Sequence, residues 1–132
     1  MQPPQPEEPA SILVIEDEAD LVWVVRFNLE LEGYRTFVAP NGQAALDLLN
    51  EVTPDLMLLD LMMPVMDGWT VLHEVRRRGL RSKVIVVSAR TSQLDRRRAE
   101  EYMVDAFVAK PFDMEELLAT IRGLLPPPRR QE

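Results

Sequence analysis

A chain of 132 residues, 46% hydrophobic and 28% charged, is long enough for one domain with a single sizeable core. Its net charge of −7 excludes sequence-independent binding of nucleic acid or an anionic membrane by the surface as a whole. Cysteine is absent, which excludes a disulfide framework and thiolate chemistry and fits a cytoplasmic setting.

The opening ten residues, MQPPQPEEPA, lack the basic and apolar regions of a signal peptide and read as a disordered Pro-rich lead. A first strand is expected at Ser11–Ile15 and a first helix at about Glu18–Glu32, closed by Gly33 as a C-cap. A second strand at Arg35–Val38 precedes a helix at Gly42–Glu51, and a third strand at Leu56–Leu59 precedes a helix at Gly68–Arg78 that Gly79 ends. The strongest apolar stretch, residues 56–66, is broken by Asp60 and Pro64 and is too short to span a bilayer. A fourth strand at Lys83–Val87, a helix at Ser92–Met103, a fifth strand at Ala106–Ala109 and a helix at Asp113–Leu125 complete the pattern. Asp113 with Glu116 reads as a capping box, and Pro126 stops the last helix. Residues 126–132 read as a tail or as the start of a linker to an output domain, which leaves 11–125 as the folded domain. Strand-length apolar runs alternating with helix-period segments predict an α/β fold with a parallel sheet.

In such a sheet, function gathers beyond the carboxyl ends of the strands. Glu16-Asp17-Glu18 follows the first predicted strand, Asp60 the third, Ser88 the fourth and Lys110 the fifth. Acidic residues at a helix start also serve as caps and dipole partners, but three carboxylates at one edge repel one another unless a cation lies between them. Hard oxygen donors with incomplete protein coordination suit Mg²⁺. An aspartate closing the run Leu56-Met57-Leu58-Leu59 is costly to bury without compensation, and beside Mg²⁺ it can act as a nucleophile toward a phosphoryl donor. The chain has thirteen arginines and two lysines, so Lys110 stands out as a compact charge that fits beside one oxyanion. Ser88, with the small Ala89 after it, can donate to a phosphoryl oxygen.

Glu16-Asp17, Asp60, Met63-Pro64, Asp67-Gly68, Ser88-Ala89 and Lys110-Pro111-Phe112 together resemble the response-regulator receiver domain of two-component signalling, over about Ser11 to Leu125. The resemblance implies a flavodoxin-like, doubly wound (βα)5 fold with a five-stranded parallel sheet in the order 2-1-3-4-5. It implies that Asp60 is the phosphoacceptor, supplied by a sensor histidine kinase or a histidine phosphotransfer protein, with assistance from Lys110 and Ser88. It further implies that Asp17, Asp60 and the backbone carbonyl of Met62 ligate Mg²⁺, that Glu16 acts through water, and that the Lys110-Pro111 bond is cis. Ser88 and Phe107 occupy the switch positions, while Met62 and Arg90 flank the site and would tune the phosphoryl lifetime. Arg90 is expected to pair with Glu16 or to reach the phosphoryl group.

The chain departs from the family pattern at Met103-Val104, where a Gly-Ala pair is usual, so an unusual or mobile end to the fourth helix is expected. Phe107 stands where Tyr is frequent, and is also an ordinary core aromatic. On the first helix Leu21, Val24, Val25 and Asn28 should share the inner face, leaving Val22 and Trp23 outward as a kinase docking patch. Arg96, Asp105 and Glu116 resemble part of an ion-pair set for a homodimer through the fourth helix, fifth strand and fifth helix. The runs Arg76–Arg78 and Arg96–Arg98 read as solvated helix faces, and His73 as a surface residue. The domain itself should contact neither membrane nor nucleic acid, although an output domain beyond it could bind DNA. The competing readings are a phosphate-independent interaction module, which the intact acidic set opposes, and an Asp-nucleophile phosphohydrolase. The latter would need a second acid/base shortly after Asp60, where Met62 and Met63 stand.

Overall fold

A computed structural model describes residues 9–126 except Pro64; the lead before residue 9 and the tail from residue 127 lie outside the described residues. Five strands alternate with five helices: β1 (Ser11–Ile15), α1 (Ala19–Leu31), β2 (Arg35–Ala39), α2 (Gly42–Leu48), β3 (Leu56–Asp60), α3 (Gly68–Arg77), β4 (Lys83–Ser88), α4 (Gln93–Glu101), β5 (Ala106–Ala109) and α5 (Met114–Leu124). All pairings are parallel and the sheet order is β2-β1-β3-β4-β5, the expected doubly wound arrangement. Strand side chains alternate between two cores. Leu13, Ile15, Met57, Leu59, Val84 and Val86 pack with α2, α3 and Ala99 of α4. Ile12, Val14, Leu56, Leu58, Ile85 and Val87 face α1 and α5. Because β1, β3 and β4 are covered on both faces, their sequences are continuous aliphatic runs.

Three strands run one residue past their expected ends, to Ala39, Asp60 and Ser88. The extension holds Asp60 and Ser88 in the ladder, where Asp60 faces Val87 and Ser88 faces Ala109, rather than on free loops. Helix α2 stops at Leu48 instead of Glu51, because Glu51 and Val52 both donate to the Leu48 carbonyl in a closing turn. In α5 the Asp113 cap accepts from the Glu115 amide at 3.3 Å.

Helices α1, α3 and α4 end in the same way. The amide two residues past the cap reaches back to the sixth carbonyl: Tyr34 to Leu29, Leu80 to Val75 and Val104 to Ala99. The intervening residue takes a positive φ, 96° at Gly33 and 74° at Gly79, but at α4 it is Met103 at 57°. The unusual helix end expected from Met103-Val104 is therefore an ordinary left-handed cap occupied by a side chain. Arg76 braces it, with Nε on the Tyr102 carbonyl at 2.8 Å and Nη2 on the Met103 carbonyl at 2.9 Å. Arg76 is thus no solvated residue, which corrects the reading of that run. An L residue in this region carries a cost of about 1–2 kcal/mol that glycine avoids. Since the Met103 side chain is 69% exposed, Met103→Gly should stabilise the domain by about 1 kcal/mol in urea denaturation; a destabilised variant would contradict this account of the turn.

Candidate functional site

The carboxyl edge of the sheet collects Glu16 from the end of β1, Asp60 from β3, Ser88 from β4 and Lys110 from the residue after β5. Lys110 is aligned by its own amide, which donates to the Ser88 carbonyl at 2.8 Å, and the Lys110-Pro111 bond is cis as expected. The Lys110 ammonium donates to Glu16 Oε1 at 2.7 Å and to Asp60 Oδ2 at 3.3 Å. The second oxygen of each carboxylate is also used. Glu16 Oε2 accepts from the amides of Asp17 (3.1 Å) and Glu18 (3.2 Å), and Asp60 Oδ1 accepts from the Met62 amide at 3.0 Å.

Glu16 and Asp60 are buried whereas Asp17 is exposed, and one carboxylate oxygen from each of the three lies within 4.8 Å of the others. Burial pushes the Glu16 carboxyl above its usual value, and the Asp60 charge adds to this against the pull of Lys110 and the Glu18 amide. Burial works against the Lys110 ammonium, but the Glu16 hydrogen bond and the Asp60 charge outweigh it and raise its pKa. The one ammonium bonds two of the three clustered carboxylates, Glu16 and Asp60, and burial keeps the Glu16 carboxyl raised despite it. An all-oxygen donor set with Asp17 open to solvent fits a hard divalent cation that keeps several waters. Glu16 and Asp60 each already accept hydrogen bonds on both oxygens, so the exposed Asp17 is the carboxylate of the three most open to such a cation.

The loop after Asp60 is shaped by Asp67-Gly68. Asp67 caps α3 by accepting from the Thr70 amide at 2.9 Å. A Cβ on Gly68 would stand 2.7 Å from Leu61 Cα and 2.8 Å from the Asp60 carbonyl oxygen, so only glycine lets α3 start this close to the end of β3. The Met62 side chain is exposed beside the site.

Ser88 is fully buried, and its Oγ accepts from the Arg90 amide at 3.0 Å. The Arg90 guanidinium points away from the carboxylates to Asp95 Oδ1, 3.5 Å distant, not to Glu16. Glu16 is saturated by Lys110 and two amides, whereas the buried Asp95 needs a counter-charge where it closes the capping box with Ser92. Phe107 is half-buried on β5, with the Arg96 guanidinium 4.7 Å from its ring centre. Arg98 lies 4.3 Å from the Trp69 ring, so two of the α4 arginines, exposed as expected, also cover aromatic rings.

The surface residues are only partly as expected. Trp23 is exposed, but Val22 is half-buried and Val24 turns outward, because α1 seats Val25 and Leu29 on the core. Trp23 stacks on Phe27 with ring centres 5.3 Å apart, an i, i+4 pair the sequence reading passed over. An apolar groove lined by Leu21, Val24, Pro111, Phe112 and Met114 leads from this helix to Lys110. Asp105 is committed within the sheet, accepting from the Val84 amide at 2.8 Å and lying 3.9 Å from Lys83. Glu116 is exposed on α5, and His73 is exposed with its ring edge-on to Tyr102.

The sequence matches the response regulator receiver domain family over residues 12–122. The structure is similar to the receiver domain of a Francisella response regulator, with 30% identity, a TM-score of 0.82, and 87% of this chain and 95% of that one covered. It is also similar to a LuxR-family DNA-binding response regulator from Staphylococcus aureus (32% identity, TM-score 0.80, 87% and 98% covered). A third similar structure is the Thermotoga maritima response regulator TrrA in complex with Mg²⁺ and BeF (31%, 0.77, 88% and 99%). With the acidic edge, the strand order and the sequence match in agreement, the chain belongs to the response regulator receiver domain family.

Proposed function

We propose that this receiver domain takes a phosphoryl group on Asp60 from a phosphohistidine of a sensor histidine kinase or a histidine phosphotransfer protein. The observation that carries the reading is the Lys110 ammonium held between Glu16 and Asp60, 3.3 Å from Asp60 Oδ2, beside the exposed Asp17. An Asp60 oxygen attacks phosphorus, the phosphorus–nitrogen bond breaks, and the imidazole leaves with the electron pair, giving an aspartyl phosphate. Asp17, Asp60 and the Met62 carbonyl would hold Mg²⁺, with Glu16 acting through water. When bound, Mg²⁺ would neutralise charge on the transferred phosphoryl oxygens. Lys110 exchanges its bond to Asp60 for one to the phosphoryl group and acts as clamp and sensor, not as base or nucleophile. Water later hydrolyses the acyl phosphate, and the exposed Met62 side chain shields that attack. These roles are supported by the TrrA neighbour, whose complex contains Mg²⁺ and BeF.

Ser88 moves toward the phosphoryl group and Phe107 fills the space it leaves, which alters the surface of α4, β5 and α5 for a partner, an output domain or a second copy. Arg96, Asp105 and Glu116 lie on that surface, and Arg90 tunes the site from the loop before α4. The outward Trp23, with the groove running to Pro111, suits docking of a kinase helical bundle. The Pro-rich lead, the folded unit at 11–125 and a linker role for the tail stay part of this reading, as does a cytoplasmic setting. No helix among the described residues is long and apolar enough to cross a membrane.

Incubation with Mg²⁺ and acetyl phosphate should add the mass of one phosphoryl group to the wild type and none to Asp60→Asn. Equal labelling of both, or of neither, would contradict the assignment. Lys110→Arg keeps the charge but replaces a point donor with a wide fork. Its response to beryllofluoride, read by amide shifts across β4, α4 and β5, should need on the order of tenfold more ligand, below the 10²–10³ expected for outright donor loss. An arginine variant with full response would show that charge alone suffices.

A further inference from the structure

Helix α4 is held to the domain in an unusual way. Of its nine residues only Asp95 and Ala99 are buried, and Leu94 is 78% exposed. Apolar packing therefore contributes little, and its position depends on arginine contacts: Arg90 from the preceding loop to Asp95, Arg98 on Trp69, and Arg96 on Phe107. Only the last of these joins α4 to β5. The Arg96 side chain also has a second anchor, because its Nε donates to the Thr91 carbonyl at 3.3 Å in the loop that follows Ser88. One guanidinium thus bridges the loop just after Ser88, whose hydroxyl would sense the phosphoryl group, and the ring expected to follow it.

Phe107 has no hydroxyl, so no hydrogen bond from the side chain can fix its position. What holds the ring is its apolar contact with the core on the α2–α4 side and the cation over its face. Its β4 partner in register is Val86, which is fully buried and lies two residues before Ser88. A ring moving from its half-buried place toward Ser88 would part from Arg96 wherever the guanidinium stays on the Thr91 carbonyl.

We propose that Arg96 is a positioning residue that restrains the switch: stacked on Phe107, it favours the resting ring position and so weakens retention of the phosphoryl group. The proposal rests on the receiver reading above and assigns that reading a specific opposing contact. A contact made in one state and lost in the other changes ligand affinity by its own equilibrium factor. For a partly exposed guanidinium–ring contact that factor is about 2- to 5-fold.

The test is the apparent affinity for beryllofluoride at saturating Mg²⁺, read by amide shifts. Arg96→Ala and Arg96→Gln should bind about 2- to 5-fold more tightly than wild type, and Arg96→Lys should fall between. Arg97→Ala removes the same charge from the next, exposed position and should leave affinity unchanged. In a Phe107→Leu background, Arg96→Ala should have no further effect, a result that a general structural or electrostatic role would not give. Equal affinities of wild type and Arg96→Ala overturn the proposal, as does an undiminished gain in the Phe107→Leu background. Failure of the wild type to bind beryllofluoride at all overturns the receiver reading and this proposal with it, whereas binding with equal affinities overturns the proposal alone.

Discussion

An ammonium set between two buried carboxylates governs the carboxyl edge of this sheet. Lys110 bonds Glu16 and Asp60 from a third strand end, so β1, β3 and β5 are tied at one point by charge as well as by the ladder. Breaking a buried pair by removing one partner costs about 3–5 kcal/mol, because the remaining charge is left unpaired. Here one cation faces three carboxylates, and burial, with the Asp60 charge added, holds the Glu16 carboxyl above its usual value despite that cation. The site is thus built with a deficit of positive charge. Under the function proposed above, a divalent cation and a phosphoryl group entering together would alter that balance and so turn a small chemical event into a force on the surrounding loops.

Transmission of that force depends on how unevenly the helices are anchored. Helix α3 is fixed by Trp69, Val71, Leu72 and Val75, and by a glycine that no side chain could replace beside Asp60. Helix α4 has two buried residues, a methionine in its left-handed cap and a set of arginine contacts. Apolar packing is close to all-or-none, whereas guanidinium contacts to rings, carbonyls and carboxylates are individually modest and exchange partners easily. The element nearest the switch is therefore the one least secured by core burial.

Much of this was legible in the residues. Strand-length apolar runs alternating with helix-period segments located β1 and β5 to the residue, and the parallel order follows from the family that the polar residues at the strand ends identify. Gly33 and Gly79 marked helix ends because their backbone demand is local, and Met103 was flagged because it breaks that rule. What could not be read was the choice of partner by long side chains. Arg90, expected at Glu16 or the phosphoryl group, lies instead beside Asp95, and Glu16 is occupied by amides that no periodicity reveals. Arg76 bracing a turn twenty-six residues away, and Arg96 covering Phe107, likewise depend on tertiary proximity. Val24, expected on the inner face, turns outward because at 100° per residue it sits on the margin between faces and the core seats Val25 and Leu29.

The central claim is that the acidic edge is a cation site with too little positive charge of its own. Thermal unfolding of the unphosphorylated protein with and without Mg²⁺ tests it most directly. Wild type should gain on the order of 5–10 °C when Mg²⁺ exceeds its Kd a hundredfold, and Asp17→Asn, altered at the exposed carboxylate of the cluster, should gain little. A wild type indifferent to Mg²⁺, or a variant that responds equally, would contradict the account.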